Sequence, residues 1–275
     1  VGQITATFLG INAIAKFVNK LKDVRAEFEF QNRSLQILLQ NRREADILWD
    51  KTVALAVNSP FRVQQLVSYT KQLAAYRVES EKLYDTTKML ADISSGLGVD
   101  MQRLILAYGQ VKAANYLRGT ELRQFSEAGI NILGELSKYF TQLEGSAVSV
   151  AEVFERVSRR MVLFEDVDAV LKNITSEGGT FYKMQEEQAK TLRGQIMNLQ
   201  DSIDVMLNEI GENTEGALKG GVRAVRFLVE EWETLSIVLG GVIGAFVGLN
   251  TTMVLAAISQ GKFSTETIKT TARLN

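Results

Sequence analysis

The chain has 275 residues, 46% hydrophobic and 23% charged, with 31 basic and 32 acidic side chains, a net charge of −1, and neither Cys nor His. That usage is globular and long enough for one or two domains with a real core, and without a basic excess it argues against a dedicated or sequence-specific nucleic-acid surface. Disulfides, zinc sites built on Cys or His and Ser-His or Cys-His nucleophiles are excluded, which leaves carboxylate or lysine chemistry as the open catalytic route.

A single proline, Pro60, permits long helices. The chain runs from Val1 to Asn275 without a closing signal and is expected to be an excerpt of a longer polypeptide, with no secretory signal visible at its start. From Ile11 to Ala56 apolar residues recur in alternating steps of three and four, through Ile14, Val18, Leu21, Phe28, Leu35, Leu39, Trp49 and Val53. This predicts one long helix with room for one break. Arg25, Asn32, Arg42 and Asp46 interrupt the seam. The pattern suits an amphipathic helix packed on its own domain or a coiled coil between copies.

Ser59 and Pro60 are expected to turn the chain, Ser59 as a cap and Pro60 at the first helical position. Short helices follow, over 61–76 and over 79–95, the latter stopped by Gly96 and Gly98. Asp100 is expected to cap 101–116, Gly119 to restart the chain into 121–128, and Gly129 to stop it before 130–140. Ser149 and Glu152 form a capping-box pattern opening a helix to about residue 159. An acidic first turn at Glu165, Asp166 and Asp168 opens 164–174. Gly178 and Gly179 are expected to be a turn, since no strand precedes them and no Lys-Ser/Thr pair follows as a phosphate loop requires. A long polar helix is predicted from 180 to about 210, then an amphipathic helix over 218–235.

Residues 235–258, LSIVLGGVIGAFVGLNTTMVLAAI, carry no charge. As a helix they reach about 36 Å, enough for a bilayer core of about 30 Å. Gly240, Gly244 and Gly248 share one face, as close helix packing in lipid requires. Trp232 suits an interfacial position. A buried helix in a larger fold explains the same run. No long period-two alternation is present, so the expected class is all-α. Long flanking helices surround a compact multi-helix domain, with a C-terminal hydrophobic helix. The expected domains are 1–57, a long amphipathic or coiled-coil-like helix; 58–211, a compact helical domain ending in a long helix; and 212–275, an amphipathic helix plus the 235–258 segment.

Beyond these patterns, residues 59–136 and 164–211 resemble the tape measure proteins of tailed bacteriophages and prophages. The resemblance rests on the SPF opening, YTKQLAAY at 69–76, LAYGQVKAANYLRGTELRQFSEAG at 106–129, TSEGGTFY at 175–182 and KTLRGQIMNLQDSIDVMLNEIG at 190–211. It implies a non-enzymatic structural protein without cofactors that lies in the tail tube lumen of the virion and sets tail length during assembly in the host cytoplasm. It further implies help for genome passage across the host inner membrane. The implied partners are the tail tube protein, tail assembly chaperones, tail tip proteins and other copies of itself. Two readings from other classes stand beside it: a membrane-permeabilising helical protein such as a pore-forming toxin, in which 235–258 is the working part, and an enzyme using paired carboxylates.

Overall fold

A computed structural model of the chain describes residues 11–191 and, beyond them, residues 194, 198, 201, 204, 205, 207, 208 and 212. Trp232, Gly240, Gly244, Gly248 and the whole 235–258 segment lie outside the described residues. All regular structure among the described residues is α-helical: α1 (Ile11–Leu39), α2 (Arg42–Val57), α3 (Val63–Ala75), α4 (Ser80–Leu97), α5 (Met101–Ala114), α6 (Gly119–Glu127), α7 (Ile132–Glu144), α8 (Val150–Ser158), α9 (Phe164–Thr175) and α10 (Met184–Ala189). The all-α expectation holds. Among the described residues no helix is long and apolar enough to cross a membrane.

The chain divides into two compact units, one of residues 34–194 and one that joins residues 1–33 to 195–275. In the second, Leu21, Val24 and Phe28 of α1 are buried, as are Asp201, Asp204 and Leu207, which share one helical face. Lys20 Nζ lies 3.7 Å from Asp204. Arg25 Nη1 donates to Asn208 Oδ1 at 3.1 Å and lies 3.9 Å from Glu212. Partners advance together along both stretches, so the two run side by side in the same direction. Arg25, a flaw in the apolar seam, is thus one of the groups that joins them.

The seam does break once. Gln40 adopts a left-handed φ of 53°, and Asn41 caps α2 by accepting from the Glu44 N–H at 3.3 Å. Asp46 accepts from Gln36 of α1 at 2.9 Å. The polar entries Arg42 and Asp46 therefore mark a corner, and the buried stripe restarts at Ala45, Leu48, Trp49, Thr52, Leu55 and Ala56.

In the unit of residues 34–194, α4 is the hub, with α2, α3, α5, α9 and α10 packed around it. Met89 through Ser95 are buried without interruption, the signature of a helix enclosed on all sides. Its polar positions are satisfied locally: Thr87 Oγ1 donates to Leu83 O at 2.7 Å and lies 3.1 Å from Thr70 Oγ1 of α3, which donates to Leu66 O. Gly98 ends α4 at φ 66°. Asp100 caps α5 by accepting from the Gln102 N–H at 2.9 Å, and Ser149 caps α8 by accepting from Glu152 at 3.2 Å. The other half of the expected box is spent elsewhere, since Glu152 binds Arg156 at 2.7 Å.

Two expected elements need correction. Pro60 is not the first residue of a helix: Ser59 and Pro60 lie in the turn, and α3 opens at Val63, where the Arg62 N–H donates to Gln65 Oε1 at 3.0 Å. The buried Ser59 hydroxyl donates to Ala56 O at 3.3 Å and accepts from Phe61 N–H, so it closes α2 rather than opening α3. The polar helix expected from 180 also gives way to a turn over 180–183 and the six-residue α10, followed by a break at Lys190 and Thr191. Thr191 accepts from Gly194 N–H at 3.2 Å, starting the chain again.

Candidate functional site: an interaction unit

Several titratable groups of residues 34–194 are used as braces. Tyr108 of α5, 2% exposed, donates its hydroxyl to Asp168 Oδ1 of α9 at 2.8 Å. Lys172 donates to the other Asp168 oxygen at 2.6 Å. The Tyr108 ring meets Phe164 edge-on at 5.2 Å, and Lys112 Nζ stands 4.5 Å above the Phe164 ring while donating to Glu79 Oε1 at 3.0 Å. Burial, then the Asp168 charge, raises the Tyr108 phenol well above its usual range, so it stays a donor. Glu79 is held down to about 2 by its own backbone N–H, then by Lys112, so it stays a carboxylate. The pairing of Tyr108 with Asp168, 60 residues away, left no mark in the sequence beyond the acidic first turn of α9.

Glu121 is fully buried and receives two hydrogen bonds from Arg118, at 2.9 and 2.6 Å. Arg156 of α8 binds Glu144 and Glu152 and lies 4.9 Å over the Phe140 ring, pinning α8 to α7. Among the described residues no group of three or more Asp and Glu side chains is placed to hold a metal ion. These clusters end in ion pairs or hydrogen bonds, between helices for Tyr108–Asp168 and Arg156–Glu144 and within the start of α6 for Arg118–Glu121, an arrangement suited to holding shape.

The expected turn residues are scattered along the unit and act for different reasons. Gly119 is the first residue of α6, in open space. Gly129, at φ 93°, sits in the left-handed position of the turn closed by Ile130 N–H to Phe125 O at 2.9 Å. Gly178 has φ 85°. Gly179 is needed for space: a Cβ there would stand 2.5 Å from the backbone oxygens of Asn173 and Ile174. Two packing glycines escaped sequence reasoning. Gly109 of α5 lies against the Tyr76 ring, and a Cβ on Gly96 would stand 2.5 Å from Phe181; Gly96 is therefore a helix-interior contact, and Gly98 alone is the left-handed cap.

What this unit shows to solvent is partly apolar. Val153 and Val157 face inward on α8, whereas Val150 and Phe154 of the same helix are exposed, as are Met161 and Leu163 in the following connection. Scattered exposed apolar residues are ordinary, but a helix flank of this kind is the material of protein contacts. The connection itself is pinned by Leu117 N–H to Val162 O at 2.9 Å and by an isolated antiparallel bridge between Tyr116 and Leu163.

No curated protein and no solved structure matches the chain. A family model described as tape measure protein matches residues 19–212, more than half the chain, and spans α2 to α10 with most of α1. The resemblance carried by residues 59–136 and 164–211 is thus borne out, and the chain belongs to the tape measure protein family, structural proteins of phage tails.

Proposed function

We propose that this chain helps set tail length from inside the tail tube, with residues 34–194 as an interaction or end domain and the measuring helix mainly outside it. The observation that carries the reading is the family match over 19–212, which includes the whole braced unit. A helix advances about 1.5 Å per residue, so a ruler needs uninterrupted helix. This unit turns back on itself at Gly98, Gly129, Gly145 and Gly178, whereas the 29-residue α1 is the longest helix among the described residues. The proposed partners are the tail tube protein, tail assembly chaperones, tail tip proteins and other copies of the chain.

Deleting a helical stretch outside residues 34–194 should shorten assembled tails by about 1.5 Å per residue, read by electron microscopy. Tails of unchanged length would overturn the ruler reading. In the same proposal, residues 235–258 enter the host membrane on ejection and ease genome passage. The uncharged run and its glycine face support this. A peptide of residues 218–262 mixed with liposomes should float with them, and recovery in the aqueous fraction alone would remove the membrane role.

A further inference from the structure

We propose that α10 is a separately releasable latch on α4, whose hold strengthens in mild acid through the Asp92 carboxyl. The segment is discrete. It is bounded on one side by the Gly178–Gly179 turn and Lys183, at φ 54°, and on the other by the break at Lys190 and Thr191. Six residues do not sustain a helix alone, so α10 persists through its contacts with α4. These are few. Phe181 packs on Gly96. Gln185, fully buried, donates its side-chain amide to Lys88 O at 3.3 Å, and its backbone N–H to Asp92 Oδ1 at 3.1 Å. Lys88 lies 3.7 Å from Glu186.

Asp92 is 3% exposed, in the middle of the hub helix. A carboxylate so placed needs several donors or a committed cation. It has the Gln185 amide groups, and its nearest cation, Lys88, is shared with Glu186. The other elements around α4 meet it elsewhere or without charge: Thr70 of α3 at Thr87, Tyr108 of α5 at Thr86, and Lys51 of α2 over Tyr84, two turns away; the α9 carboxylate Asp168 is taken by Tyr108 and Lys172. A proton on Asp92 removes the buried charge and leaves its carbonyl oxygen to accept the Gln185 N–H.

The direction of the effect follows. Burial pushes Asp92 up to about 6, against the pull of the Gln185 N–H and Lys88, with Glu186 adding to the rise. Once α10 lifts away the group meets water and returns toward about 3.9. The docked form thus binds the proton more tightly. Docking is strongest below the undocked value and weakens as pH rises through about 6. Between pH 7 and pH 5 the docking constant should rise about tenfold.

The test is hydrogen exchange by mass spectrometry on the full chain, reading protection factors for amides 184–190 after correction for intrinsic exchange. Protection should rise about tenfold from pH 7 to pH 5. In Asp92→Asn it should be flat with pH, and at pH 7 at least match the unmodified chain at pH 5. Protection that stays constant or falls on acidification, or an Asp92→Asn chain that keeps the rise, overturns the proposal. Should that variant not fold, Glu186→Gln decides: loss of its charge should move the rise to lower pH, and an unmoved midpoint overturns the proposal equally.

Discussion

Substituting alanine for three glycines, one at a time, separates three physical causes that look alike in sequence. At Gly179 the new Cβ would stand 2.5 Å from the backbone oxygens of Asn173 and Ile174. Neither is the end of a flexible side chain, so the turn itself must move. That movement strains the bond from Phe181 N–H to Ile174 O, 2.7 Å long. Overpacking costs about 1–3 kcal/mol and the weakened hydrogen bond about 1 more, so Gly179→Ala should lose about 3 kcal/mol. At Gly178 nothing lies within 4 Å, but φ is +85°, and the left-handed penalty of about 1–2 kcal/mol applies alone. Gly119 has neither neighbours within 4 Å nor a positive φ, so Gly119→Ala should be neutral or stabilise by about 0.5 kcal/mol. Of the two tryptophans in the chain, Trp49 is buried in α2. In a Trp232→Phe background its fluorescence reports on residues 34–194 during urea unfolding. With a slope of about 2 kcal/mol/M, Gly179→Ala should lower the midpoint by about 1.5 M, Gly178→Ala by less, and Gly119→Ala should not lower it. Equal losses at all three sites, or a Gly179→Ala midpoint no lower than that of Gly119→Ala, would refute the assignment of steric and conformational roles.

Two further outcomes follow from the charge pairs. Arg118→Ala should destabilise the fold more than Glu121→Ala, because the first leaves a carboxylate with a 1% exposed side chain unpaired, while the second returns a 46% exposed guanidinium to water; the order of the two urea midpoints checks this. Glu79 has its pKa lowered in the fold from 4.5 to about 2, so its contribution is complete above the unfolded value and lost as pH falls toward 2. Glu79→Gln should therefore flatten the fall in urea midpoint across that window, and a curve still parallel to that of the unmodified chain would contradict it.

Helix order from 79 to 175 was readable because its punctuation is local. Asp100 and Ser149 cap the helices they precede, Gly98 and Gly129 stop the helices they follow, and each acts through backbone groups within a few residues. What could not be read depends on distant parts of the chain. The corner at Gln40–Asn41 lies where the buried stripe changes partners. Gly96 reads as a helix stop, yet it and Gly109 are required by Phe181 and Tyr76, rings remote in sequence. Residues 180–210 read as one polar helix because their spacing continues, but Asp92 and Gly96, some ninety residues earlier, hold Phe181 to Ala189 as a separate piece. Asp201 and Asp204 were placed on no apolar face by pattern, and they are buried; the basic Lys20 that meets Asp204 comes from the opposite end of the chain. Braces between residues 60 or 180 apart leave single charged letters in the sequence, and those letters look like any solvated charge.

The same distinction bears on the proposed role in setting tail length. As one straight helix, residues 34–194 would reach about 240 Å; folded, their longest helix is the 18-residue α4, about 27 Å. Recovering the difference means expelling the α4 core, opening the Tyr108–Asp168 and Arg156–Glu144 bonds between helices, and straightening turns whose glycines have left-handed or crowded backbone. The folded unit is therefore a poor place to encode a residue-by-residue ruler and a good place to encode an end. The two roles separate under insertion. Seven residues added to a straight helical stretch outside residues 34–194 should lengthen tails by about 10 Å. The same seven inserted in α5 between Met101 and Tyr108 would shift Tyr108 and Gly109 about 10 Å along the helix axis relative to its start, with little rotation, and part them from Asp168 and Tyr76, so the expected result is failed assembly rather than longer tails. A regular lengthening from the α5 insertion would mean that the unit is extended in the tail, and the proposed division between ruler and end domain would fall.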